Sequence, residues 1–221
     1  MSKLLTMFLA ITALSAVSSA CSDGKDDAFV IKRDGQVFLR DKTGEEWNVT
    51  EAATEYKMEA NQFHYGLGRN AFQPLNNPQI LQGSSFGENS DIFGFSFGGV
   101  SRSYSKNTLL RHETVNDRFG STPVLIAYCF LAELAGMYER TVDGQVLTLV
   151  ASGWTYHNGS HDTFVLYDQE TNSLWFPFSK DPFFVAVQGP LKGKKLQEIQ
   201  PATRTNLGQW KAQYQSSGHV E

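Results

Sequence analysis

The chain has 221 residues, and its 19 lysines and arginines against 23 aspartates and glutamates give a formal net charge of −4. This length suits one domain, or at most two, with a core large enough to be stable without disulfides. No block of basic residues occurs, so the charge pattern excludes a nucleic-acid-binding protein that works through electrostatic attraction.

Residues 1–20 have the pattern of a secretory signal peptide. Lys3 supplies a positive start, and an uncharged apolar stretch from Leu4 to Val17 is followed by small residues and then Cys21. The stretch is about fourteen residues long, whereas a membrane-spanning helix needs roughly twenty. A cysteine at the cleavage point predicts a lipoprotein of the bacterial cell envelope, with Cys21 lipidated and the protein anchored to a membrane, facing the periplasm.

One position departs from the lipoprotein pattern, because Ser18 stands where a branched aliphatic residue is usual. The alternative is ordinary cleavage after Ala20, which predicts a periplasmic or secreted protein without lipid. A buried N-terminal helix is disfavoured, because residues 21–28 are mostly polar and suit a tether. If Cys21 is lipidated, Cys129 has no disulfide partner in the chain. If Cys21 is not lipidated, a disulfide between Cys21 and Cys129 becomes possible, although the flexible tether that carries Cys21 disfavours it.

The first predicted elements form an N-terminal hairpin extension over residues 29–60. Asp34-Gly35 between two short apolar stretches is a strong hairpin signal. A second turn over residues 41–44 leads to Trp47, and a short helix is predicted over residues 50–58 with Thr50 as its N-cap.

Residues 61–221 are predicted to form one β-rich domain, which opens with a long irregular segment over 61–91. Strands are predicted at residues 92–97, 100–104, 124–130, 137–141, 146–151, 163–167 and 174–178. A helical turn is predicted over 105–112, an irregular region over 179–203, and a final amphipathic helix over 206–215 capped by Thr205. The fold class is therefore α+β, predominantly antiparallel β with a C-terminal amphipathic helix. The similar runs 41–47 and 168–175 are interpreted as two alike hairpins and not as a repeat.

Cys129 is the first residue that could carry chemistry. It lies in an apolar run, where a free cysteine behaves as a small buried hydrophobe. The alternative is a nucleophile or a soft metal ligand at a strand end. No lysine or arginine is near it in sequence to lower the pKa of its thiol.

Histidines beside carboxylates mark two further candidate regions. His112 precedes Asn116 and Asp117, which indicates either an acid–base or metal-ligating group or a polar loop before a turn. His161 and Asp162 follow a second histidine four residues before His161, but the intervening Asn-Gly disfavours a helical metal site.

Several motifs in register carry a resemblance to a known family. They are Gly66-Leu67-Gly68-Arg69-Asn70 through Pro74-Leu75-Asn76-Asn77-Pro78, His112-Glu113-Thr114-Val115-Asn116-Asp117, Ala127-Tyr128-Cys129, Arg140-Thr141-Val142-Asp143-Gly144, Ser152-Gly153, Leu166-Tyr167-Asp168 through Trp175, Gly189-Pro190-Leu191 with Gly193, and Trp210-Lys211. Over roughly residues 66–215 the chain resembles the bacterial and archaeal domain-of-unknown-function family numbered 3179.

The resemblance implies no established activity, but it exposes one departure. The family pattern after the tyrosine is Cys-Pro-Leu-Cys, whereas this chain has Cys129-Phe130-Leu131-Ala132. The resemblance therefore implies that a dithiol–disulfide couple cannot form in this motif, and that a two-thiol metal site would be halved.

Two functional hypotheses follow from these residues. The first is a non-catalytic envelope domain that binds a small ligand or a protein partner, and the missing thiol and the lack of a complete catalytic constellation favour it. The second is a metal-binding protein or Cys-dependent enzyme with a one-thiol site around Cys129 and the histidines, where zinc or copper would suit one thiolate and two imidazoles. Redox exchange is a third, disfavoured reading, because a lone thiol has no resolving partner.

Overall fold

The computed structural model describes residues 29–178 and 182–221. The predicted signal peptide, the tether and Cys21 lie outside these residues. Within the described part, the chain is mostly β and largely antiparallel, with a helix near the C-terminus, in agreement with the predicted class. No helix of this part is long and apolar enough to cross a membrane.

The elements alternate short strands with three small helices. The strands are β1 (Phe29–Arg33), β2 (Gln36–Arg40), β3 (Glu46–Asn48), β4 (Phe63–His64), β5 (Leu75–Asn76), β6 (Asp91–Phe97), β7 (Val100–Ser105), β8 (Thr114–Phe119), β9 (Thr122–Cys129), β10 (Leu134–Glu139), β11 (Thr141–Val142), β12 (Gln145–Val146), β13 (Leu149–His157), β14 (Asp162–Asp168), β15 (Leu174–Pro177), β16 (Phe183–Gln188), β17 (Lys195–Pro201), β18 (Thr203–Asn206) and β19 (Gly218–Val220). The helices are α1 (Thr50–Thr54), α2 (Lys106–His112) and α3 (Leu207–Gln213), and a 3-10 turn covers Ala60–Gln62.

A ten-stranded sheet dominates the fold, in the order β4-β13-β14-β15-β16-β17-β10-β9-β8-β5. β1–β3 form a separate three-stranded sheet, and β18-β6-β7-β19 form a four-stranded one. β11 and β12 pair as a small hairpin. The parallel pairs are β5 with β8 and β19 with β7.

The ten-stranded sheet folds over on itself, so that its two halves enclose a common core. One buried cluster takes Leu166 and Phe184 from the β13–β16 half and Leu125 and Tyr138 from the β8–β10 half. Because side chains alternate along a strand, the opposite faces carry separate clusters. The N-terminal extension covers the outer face of the first half, and the four-stranded sheet covers that of the second.

Asn116 joins the two halves where β8 and β13 approach each other without pairing in the sheet order. Its side-chain Oδ1 accepts a hydrogen bond from the Leu149 backbone N at 3.0 Å, and its Nδ2 donates to the Leu149 carbonyl at 2.9 Å. The amide thus pairs with β13 as a backbone group would, and it fixes the spacing of the halves at this point. Asp117 points to the other face, where Tyr104 and Arg102 hydrogen bond to its carboxylate.

Two of the predicted hairpins form a matched pair of structures. Asp41 accepts hydrogen bonds from the Thr43 hydroxyl at 2.7 Å and from the Trp47 indole at 2.8 Å. Asp168 repeats the arrangement with Thr171 at 2.8 Å and Trp175 at 2.9 Å. The similarity seen in the sequence is therefore a shared hydrogen-bonding pattern of aspartate, threonine and tryptophan.

Arg69 connects these two hairpins. Its guanidinium carbon lies 4.0 Å from the ring centroid of Trp47 and 4.8 Å from that of Tyr167. The same group donates hydrogen bonds to Glu45 at 2.5 Å and to Asn172 at 2.9 Å. This combination of stacking and hydrogen bonding, which suits arginine better than lysine, ties the extension to the large sheet.

The predicted hairpins at residues 29–39, 92–104 and 163–178 are confirmed. The prediction for residues 179–203 was wrong within the described part, because the apolar run from Phe183 forms β16, and β17 and β18 follow it. Gly189, with a φ of +96°, belongs to the tight turn between β16 and β17 and does not mark an irregular region.

The predicted hairpin between the strands at residues 137–141 and 146–151, on either side of Asp143-Gly144, was also wrong. The turn exists, but it closes only the two-residue strands β11 and β12, while β10 pairs with β9 and β17 and β13 pairs with β14 and β4.

Both predicted helix caps are displaced by one residue. Val49 is the N-cap residue of α1. Thr50 does not cap the helix, and its hydroxyl accepts a hydrogen bond from the backbone N of Val37 in β2. Asn206 caps α3, and its side chain accepts from the backbone N of Gln209, whereas Thr205 bonds to the Gln209 side chain.

Candidate functional site

A cavity of about 320 Å³ opens between the two halves of the folded sheet, beside the end of β9. Its polar lining comes from Glu113, Cys129, Thr155 and Tyr65. The rest of the lining is mainly apolar: Leu67, Phe72, Phe130, Leu131, Gly153, Trp154 and Phe164. Phe130 and Leu131 are 46% and 37% exposed, so the entrance is itself apolar. Small-molecule sites commonly have this character, with apolar walls and a few placed polar groups.

Glu113 is positioned by the end of α2. Ser105 caps the start of this helix, and the backbone N of Glu113 closes its last turn onto Leu109. Glu113 itself has φ +56° and ψ −30°, a conformation that non-glycine residues rarely adopt. The chain leaves the helix at this residue and enters β8, which brings the glutamate side chain into the interior.

The Glu113 side chain is only 5% exposed, and burial raises the pKa of its carboxyl from 4.5 to about 7. Among the residues that the structure describes, none forms a hydrogen bond or an ion pair with this carboxyl. A buried carboxyl without such partners is uncommon and marks a candidate functional group.

Cys129 ends β9 and is 1% exposed, with its side chain on the same face as Leu125 and Ala127. Burial raises the pKa of its thiol, and the nearby Glu113 carboxylate adds to this effect. The nearby backbone of Ala132, Phe164 and Leu131 lowers the pKa of the thiol, but this offsets the rise only in part. The thiol is therefore protonated at neutral pH and is a weak nucleophile.

Trp154 and Thr155 contribute buried polar atoms that lack partners. The indole Nε1 and the Thr155 Oγ1 have no hydrogen-bond partner within the described parts of the chain. The two side chains are 3% and 8% exposed. A buried polar group without a partner carries a free-energy penalty of about 1–3 kcal/mol. Both residues line the cavity, but the two unpartnered atoms are themselves buried.

A bulge in β13 places these two residues. The register shifts between Ala151 and Thr155, and Gly153 within this stretch has a φ of +78°. Gly66 packs against the Trp154 ring so closely that a Cβ there would lie 2.5 Å from a ring carbon. The Ser152-Gly153 motif and the glycine-rich segment around residue 66 are thus required to shape one wall of the cavity.

Asp162 joins two histidines on the same face of the sheet, beyond Thr155. Its Oδ1 lies 3.1 Å from the Nδ1 of His64 and 3.2 Å from the Nδ1 of His157. His64 stands directly opposite Thr155 in the β4–β13 pairing, so this group adjoins the cavity. His157 is the histidine four residues before His161 that the sequence analysis considered for a helical metal site, whereas His64 was not singled out.

The candidate residues of the sequence are thus distributed over several places. Cys129 lines the cavity and Asp162 adjoins it, whereas Asn116 bridges two strands and Asp117 faces another core. His112 bonds through Nδ1 to a backbone carbonyl at 2.7 Å, and His161 contacts Ser160 in a turn. Within residues 29–178 and 182–221, no three His, Cys, Asp or Glu side chains are grouped so that they could hold a metal ion.

Sequence reasoning missed Glu113, Trp154 and Thr155. Glu113 lies inside the motif that singled out His112, and the two others follow directly on Ser152-Gly153. Their proximity to family-like motifs was the available signal.

Comparison with curated proteins and with solved structures gives no match. A family model described as "Protein of unknown function (DUF3179)" matches residues 69–220, which is more than half of the chain. The match covers the motifs that carry the resemblance from Arg69 onward, together with most of the residues that line the cavity. The chain therefore belongs to the family of proteins of unknown function DUF3179.

Proposed function

We propose that this protein is an envelope lipoprotein, anchored through Cys21, whose folded sheet binds a small and largely apolar ligand. The observation that carries the binding role is the cavity beside Cys129, which combines a mainly apolar lining with the buried carboxyl of Glu113. Apolar walls supply the main part of the binding free energy, and the polar atoms orient the ligand.

Binding accounts for the site better than thiol catalysis does. A catalytic cysteine needs a thiolate, which a neighbouring base or cation normally stabilises. Here burial and Glu113 raise the pKa of the Cys129 thiol, and no histidine is among the groups that shift it. The alternative, a Cys-dependent enzyme or a one-thiol metal site, has in its favour only that the thiol borders the cavity.

The binding role is tested with a neutral apolar fluorescent probe, N-phenylnaphthylamine. The full chain carrying Cys21→Ser, which cannot be lipidated, is titrated with the probe. We expect saturable binding of one probe per chain, together with slower alkylation of Cys129 when the probe is present.

Two tryptophan variants locate the probe. Thr155→Trp fills the cavity and is expected to weaken probe binding about tenfold or more. Val146→Trp adds the same side chain on the surface, where Val146 is 37% exposed, and should leave binding unchanged. Equal binding by both variants, with no protection of Cys129 in the parent chain, would refute the proposed site.

The anchor is tested separately on the unmodified chain. We expect the first residue of the mature protein to be a lipid-modified Cys21, which mass spectrometry of the N-terminal peptide detects. A mature chain that starts at Cys21 without lipid would overturn this part of the proposal.

A further inference from the structure

The cavity has one ionisable carboxyl and no basic side chain. Glu113 is the only carboxylic acid among its lining residues, and neither lysine nor arginine lines it. Within residues 29–178 and 182–221, no cationic side chain forms an ion pair with this carboxyl. When Glu113 is ionised, its charge is therefore buried without a counter-ion, which is an unfavourable state unless a partner arrives.

Aromatic side chains form much of the remaining wall. Tyr65, Phe72, Phe130, Trp154 and Phe164 all line the cavity. Aromatic rings attract cations through their negative faces, and cages of such rings bind methylated ammonium groups. A cavity lined by one buried carboxyl and several aromatic rings is thus chemically complementary to an organic cation.

The other classes of ligand fit less well. An anion would lie beside the Glu113 carboxylate and be repelled by it. A neutral ligand would leave that carboxylate without a charged partner. A cation removes the unpaired charge and also uses the aromatic wall, so its binding gains from both features.

Building on the proposed binding function, we infer that the natural ligand is a small organic cation, an amine or ammonium compound with apolar substituents. Its cationic group lies beside the Glu113 carboxylate.

The test compares a cation with its neutral isostere by displacement of N-phenylnaphthylamine. Acetylcholine supplies an ammonium group and a carbonyl, and the ester in which carbon replaces the nitrogen has nearly the same shape without charge. In the parent chain we expect acetylcholine to bind about tenfold more tightly than the neutral ester. In Glu113→Gln this preference should disappear, whereas the matched exposed change Glu139→Gln should retain it.

The pH dependence gives a second readout. Raising the pH from about 6 to about 8 ionises Glu113 and should strengthen acetylcholine binding up to about tenfold. Cys129 and Tyr65 also line the cavity, His112 precedes Glu113 in the chain, and His64, His157 and Asp162 adjoin the cavity. Glu113→Gln separates their contribution, because any pH dependence that survives in this variant belongs to them.

The outcomes distinguish this inference from the binding function on which it rests. If the dye binds but the neutral ester competes as well as acetylcholine, or neither competes, the cation inference is overturned and the binding site stands. If Glu113→Gln keeps the full preference for the cation, the assigned contact is wrong. Failure of the dye to bind in the cavity refutes the binding function itself.

Discussion

Replacement of Glu113 by glutamine should change how the stability of the protein depends on pH. The unfolded chain has a glutamate pKa of 4.5, and burial raises the folded value to about 7. Because the folded state holds the proton more tightly, the stabilising contribution is complete below pH 4.5 and is lost as the pH rises through about 7. The difference between these two pKa values corresponds to about 3 kcal/mol, because one pKa unit is worth 1.36 kcal/mol.

The assay is urea denaturation, followed by tryptophan fluorescence at several values from about pH 4.5 to about pH 8. Glutamine has nearly the shape of the protonated acid but cannot ionise. The free energy of unfolding of the parent chain minus that of Glu113→Gln should therefore fall by about 3 kcal/mol across this range. Glu139→Gln is the control and should show a constant difference. A parallel pH dependence in the parent and Glu113→Gln would refute the assignment of a buried, unpaired carboxyl.

Three further substitutions test the framework of the site, each by urea denaturation. Gly153→Ala should destabilise the protein by about 3 kcal/mol, because the φ of Gly153 is +78° and a Cβ would lie 2.9 Å from backbone atoms. Gly159→Ala is the control and should lose only about 1 kcal/mol, because Gly159 has a φ of +92° but open space around it. Equal losses in the two variants would show that the close approach of backbone atoms to Gly153 does not matter. Asn116→Ala leaves two backbone groups of β13 unpaired, so we expect a loss of about 3 kcal/mol and faster amide exchange in β13, and an unchanged exchange rate would count against the bridge. Asp168→Asn places an amide N–H₂ among hydrogen-bond donors in a fully buried site, so we expect the free energy of unfolding to fall by about 3 kcal/mol. A fall of less than about 1 kcal/mol would argue against the hydrogen-bonding pattern shared by the two hairpins.

Short-range signals were sufficient to predict much of the secondary structure. Asp34-Gly35 forms a hairpin with both residues at positive φ, and Gly98-Gly99 does the same between β6 and β7. The interpretation failed where a turn signal was allowed to outweigh a strand signal, as at Gly189, which follows the apolar strand β16 directly. Pairing beyond adjacent strands was not predictable, because β10 lies beside β17 through contacts that no local pattern encodes.

The candidate site depends on those long-range contacts. Glu113, Cys129 and Trp154 belong to segments that meet only when the ten-stranded sheet folds over, so their separation in sequence gives no indication of a shared cavity. Cys129 was singled out by its chemistry alone. The raised pKa of Glu113 results from burial, which a single sequence cannot report.

The N-terminal extension has a consequence for how the protein can be divided. Trp47 and Val49 share one buried cluster with Val165 and Val187 of the large sheet, and Arg69 stacks on Trp47. A fragment that began where the family match begins would expose this apolar face to water, and we expect it to self-associate. Recombinant fragments intended for crystallisation or binding studies should therefore retain the strands from Phe29 onward.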